Sequence, residues 1–77
     1  MKARFVELQW LDAEGEPAWT ADKDIDKSKL PLVTMRGYLV RNTATVVVLA
    51  MGFHEDSWVN VFRIPKGMVR GPIKTIK

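Results

Sequence analysis

Leu32-Val-Thr-Met-Arg-Gly-Tyr-Leu-Val-Arg41 leads to a turn at Asn42 and continues as Thr43-Ala-Thr-Val-Val-Val-Leu-Ala-Met-Gly-Phe53. After His54-Glu55-Asp56 the chain returns as Ser57-Trp-Val-Asn-Val-Phe-Arg-Ile64. Three β-branched residues in succession at Val46–Val48, and tight polar breaks on either side, predict strands rather than helices. The block ends on Ile64-Pro65-Lys66-Gly67-Met68, which reads as a tight or 3₁₀ turn before a last short strand around Gly71 to Ile76.

Upstream, Arg4 to Leu11 alternates Val6, Leu8 and Trp10 with Glu7 and Gln9, the pattern of a half-buried strand with Trp10 toward the core. Asp12-Ala-Glu-Gly-Glu-Pro17 is a loop. Residues 18–31 form a long irregular segment. Thr20 is positioned to cap a short helical turn through Asp22 and Ile25, and Pro31 stops it; a plain charged loop fits as well. Gly37 and Gly52 fall inside strand patterns, where glycine marks a sharp bend. The expectation is a single all-β domain over residues 1–77 with five strands.

In that block neither Val46–Met51 nor Trp58–Phe62 has a polar face. A solvated antiparallel sheet shows one polar face, so one side fills a core and the other needs a cover. The segment 18–31 or a second subunit can supply it. A chain of 77 residues buries only ~60–65% of its unfolded surface and leans on an external staple. With no cysteine, disulfides and thiolate metal sites fall away, and a reducing, cytoplasmic setting fits. The first residues carry no apolar leader, and no stretch reaches the ~18 apolar residues of a membrane helix. Self-association is the staple that remains.

The net charge of +3 is unevenly placed. Residues 1–26 carry −4 and residues 27–77 carry +7. A basic half draws polyanions, and opposite patches on one body favour head-to-tail contacts that can close into rings. The candidate nucleic-acid-binding residues are Arg36, Tyr38, Arg41, Asn42, Arg63, Lys66 and Arg70, with Tyr38 either a stacking platform or a plain surface tyrosine. Trp19, Trp58 and Phe62 are candidate protein-interface residues, since exposed aromatics anchor such contacts; Trp19 and Trp58 serve equally well as core.

Catalysis lacks parts. The single histidine, His54, sits in a hairpin turn beside Glu55 and Asp56 and reads as a solvated residue. Asp22, Asp24 and Asp26 are spaced like the start of a calcium loop, but Lys27 replaces its glycine and Val33 its bidentate glutamate. There is no phosphate loop, zinc spacing or dinucleotide fingerprint. The expectation is a non-enzyme with no metal and no cofactor.

Gly37-Tyr-Leu39, the turn at Asn42 and Val46 to Leu49 resemble the first half of the Sm-like signature. Lys66-Gly67-Met-Val69, then Ile73 and Ile76, resemble its second half. The same run resembles short, mostly uncharacterised phage and prophage proteins. The resemblance implies a strongly bent, antiparallel, five-stranded SH3/Sm-like barrel that assembles as a ring and binds RNA or a nucleotide. Where the Sm-like loop carries an Asp and an Asn, this chain has Thr43 and Val47, with Asn42 the neighbouring amide, and it opens with a strand where that family has a helix. The phage-type resemblance implies instead an accessory module docking on a host protein.

Overall fold

The computed structural model describes residues 2–13, 18–25 and 30–76. They form five strands: β1 (Arg4–Leu11), β2 (Leu32–Asn42), β3 (Val46–His54), β4 (Ser57–Pro65) and β5 (Val69–Thr75). Two 3₁₀ turns, Asp22–Asp24 and Lys66–Met68, complete the described elements. All pairings are antiparallel in one sheet of order β4-β3-β2-β1-β5. Among the described residues no ladder joins β4 to β5, so the sheet is open.

Open does not mean flat. Trp10 on β1 and Phe62 on β4 are separated by two strands, yet their ring centroids lie 5.6 Å apart. Strands spaced at ~4.8 Å would hold them roughly 14 Å apart in a flat sheet. The sheet therefore curls until its inner residues meet. Val6 and Leu8, Val47 and Leu49, and Ile64 form the buried cluster, with Trp10, Met35, Leu39, Val69 and Ile73 packed around it. Burying each such side chain is worth roughly 1.5–3 kcal/mol. Val48 and Ala50 are buried as well, so β3 is covered on both faces from Val47 to Ala50.

β2 changes partner along its length. Leu32 to Leu39 pair with β1, whereas Tyr38 to Asn42 pair with β3. Gly37 stands at the handover, where an added Cβ would come within 3.0 Å of the Ala50 carbonyl oxygen and 3.3 Å of Leu49 Cβ. Only glycine lets the two backbones pass so closely. Beyond Ala50, β3 has no pairing to β2, and the β3–β4 hairpin continues alone as an arm. The molecule is elongated, 52 × 23 × 23 Å.

Some details depart from the sequence reading. Strand 3 begins at Val46 because Thr43 bends the chain: its Oγ1 donates to the Val46 carbonyl and accepts from the Thr45 and Val46 amides. The turn Asp22–Asp24 is preceded by Ala21, with no side-chain cap from that position, which corrects the placement of Thr20 as cap. Gly52 stays in the ladder opposite Val59. The irregularity is one residue away: Asn60 takes φ 53, and Met51 and Asn60 drop out of the pairing. Asparagine tolerates that left-handed backbone better than its β-branched neighbours would. The described part of 18–31 is exposed throughout and covers nothing.

Candidate functional site

The basic residues gather at one end because of a bulge. From Leu39↔Leu49 an unbroken register would set Arg41 opposite Val47, on the inner face. The pairing shifts between Leu39 and Arg41, leaving Val40 as the extra residue, and Arg41 then opposes Val48. A one-residue shift moves a side chain to the other face of a sheet. Val48 in turn opposes Arg63 on β4, so Arg41, Val48 and Arg63 form one row across three strands on the outer face. Their two guanidinium stems start two strand spacings apart, roughly 10 Å.

The next row continues the cluster. Asn42 opposes Val47, and its Oδ1 accepts a hydrogen bond from Lys66 Nζ. The Lys66 amide donates to the Thr45 carbonyl at 2.9 Å, tying the turn Lys66–Met68 to the loop at 43–45. Arg70 folds back on the same turn, with Nη1 2.7 Å from the Gly67 carbonyl oxygen. Arg41 Nη1 donates to its neighbour's carbonyl, Val40 O, at 2.8 Å. None of Arg41, Arg63, Lys66 and Arg70 pairs with a carboxylate among the described residues; the ion pair found there is Arg36–Glu7, at 2.7 Å. Arg41 and Arg63 thus share one exposed row, with Lys66 and Arg70 at the adjoining turn, an arrangement that attracts anions.

Two predicted residues lie elsewhere. Arg36 opposes Glu7 across the β1–β2 ladder and is neutralised by it. Tyr38 is half-buried in a train of edge-on rings, 5.1 Å from Phe5 and 5.2 Å from Phe53, with Trp58 a further 5.8 Å from Phe53. Its ring faces other rings, not the basic end.

The loop positions matching the Sm-like Asp and Asn have structural jobs. Val47 is fully buried in the core, and the Thr43 hydroxyl is engaged by its own loop. Neither presents a base-reading group, and the Asn42 amide oxygen is engaged by Lys66.

The candidate interface aromatics do not share one surface. Trp19 stands fully exposed in the β1–β2 connection. Trp58 packs on Phe53 toward the arm tip, and Phe62 leans on Trp10. Beside Phe62 an apolar groove of about 390 Å³ opens between β2 and the arm, lined by Met35, Leu49, Met51 and Asn60 among others. Sequence reasoning missed this groove and the exposure of Met51, Val59 and Val61, which follow from the arm leaving β2. The one signal was the missing polar face.

No protein-family model matches the chain, and neither a curated protein nor a solved structure matches it.

Proposed function

We propose that this chain is a non-catalytic, self-associating β domain of the SH3/Sm-like kind that binds an anionic partner, single-stranded RNA or a nucleotide, through its basic end. The observation that carries the reading is the basic end: Arg41 and Arg63 brought into one row by the Val40 bulge, with Lys66 and Arg70 at the adjoining turn, none paired with a described carboxylate. The strand order and the 3₁₀ turn before β5 support the fold family. With Tyr38 turned to its neighbours, stacking adds little, and phosphate contacts supply the affinity. Binding is then tolerant of sequence and steep in salt.

Titration of a fluorescent single-stranded RNA homopolymer tests this. Three to four phosphate contacts predict a loss of roughly 20–50-fold between 50 and 200 mM salt, and Arg63→Ala flattens the log–log slope by about 0.7. Absence of binding at low salt, or binding blind to salt, overturns the reading. A second reading, a docking module for a host protein through Trp19, Trp58 and Phe62, draws on the full exposure of Trp19; such a module shows no salt-steep RNA binding.

A further inference from the structure

The arm exposes Met51 at 74%, Val59 at 54%, Phe62 at 42%, Phe53 at 41% and Val61 at 36%. Val59 and Val61, opposite Gly52 and Ala50, lie on one face of the hairpin, and exposed apolar residues placed together in this way mark an interaction surface. Charge identifies what covers it. Glu55 and Asp56 form the tip, and Arg63 with Arg41 lies at the base. Counted from the Met51/Asn60 level, the tip loop follows three ladder steps, 52/59, 53/58 and 54/57. Arg63 lies three steps the other way, after 50/61 and 49/62. At ~3.4 Å per step, the Glu55–Asp56 loop lies roughly 14 Å from that level on one side and Arg63 roughly 10 Å on the other.

We propose that two copies of this chain lay their arms antiparallel about a two-fold axis at the Met51/Asn60 level. Val59 and Val61 of each copy cover those of the other, and each Glu55–Asp56 tip rests against Arg41 and Arg63 of the partner subunit. A two-fold contact needs a self-complementary patch, and an acidic tip and a basic base on opposite sides of one level make one. The contact is face to face. Asn60, at φ 53, breaks the edge of β4 at its midpoint, and an interrupted edge resists strand addition. The inference specifies the self-association in the proposed function, and it sets the tip and RNA in competition for Arg41 and Arg63.

An interface this small belongs to the weak, transient class, so mass depends on concentration. Light scattering over a concentration series at low salt is expected to rise toward twice the monomer mass and to fall back as salt is added. Glu55→Lys with Asp56→Lys returns the protein to monomer, as does Val59→Asp at its exposed site. Adding Arg41→Glu and Arg63→Glu to the tip variant restores the dimer. A monomer at every concentration, a ring of higher mass, or a dimer indifferent to the tip charges overturns the proposal. RNA titration of the unsubstituted protein keeps the two readings apart. A monomer that binds RNA removes the pairing alone, and a dimer that ignores RNA removes the anion reading alone.

Discussion

The two halves of the β3–β4 hairpin share one ladder but not one environment. From Val46↔Pro65 to Ala50↔Val61 the hairpin base contributes Val47, Leu49 and Ile64 to the buried cluster. From Gly52↔Val59 to His54↔Ser57 the same ladder carries exposed Phe53 and Val59. Both halves carry large apolar side chains, mainly aliphatic at the base and mainly aromatic in the outer half. The difference is what lies alongside: β2 pairs with β3 as far as Ala50 and no farther. Side-chain hydrophobicity thus acquires its structural meaning from the neighbouring strand, not from the residue itself.

Substitutions on the two halves put numbers to that contrast. Ile64→Ala empties a fully buried site against β1 and β3 and is expected to cost ~2–5 kcal/mol. Against the 5–15 kcal/mol typical of a whole domain, chemical denaturation should find the protein close to unfolded. Gly37→Ala tests the handover point: with Ala50 O at 3.0 Å the neighbouring backbone must move. A loss of ~1–3 kcal/mol is expected, the usual cost of overpacking, and a neutral result would mean that the two strands separate freely there. Val59→Ser on the arm should change monomer stability by less than ~0.5 kcal/mol in denaturation at low concentration. A loss comparable to Ile64→Ala would show the arm to be part of the core after all.

Much of the sheet was legible because alternation and turn residues are local. Arg4–Leu11 was read to the residue, and the turn at Lys66–Met68 and the strand after it were placed by Pro65 and Gly67. The site was less legible because register is not local. Arg41 and Arg63 are far apart in sequence, and nothing in Leu39-Val-Arg41 announces that Val40 will be skipped. Arg36 reads as a free cation until Glu7 is seen opposite, and Tyr38 reads as accessible until β1 and β3 bring Phe5 and Phe53. Asn60 was the one local clue to the break in β4, a residue at ease with positive φ set among β-branched neighbours.

The strand order carries a consequence for how the chain reaches this form. The ladder of β3 and β4 needs only the two-residue loop Glu55-Asp56 to close, an event of roughly 1–10 μs for a hairpin. Joining β1 to β5 requires Val6 to find Thr75 and Trp10 to find Val69, contacts separated by most of the chain. Loop-closure entropy makes such long-range pairing slow and late. Until it forms, β1 is an open edge next to a half-built interior. The hairpin that supplies most of the buried cluster can therefore pair first, while its inner side chains stay uncovered until the first strand and the last meet.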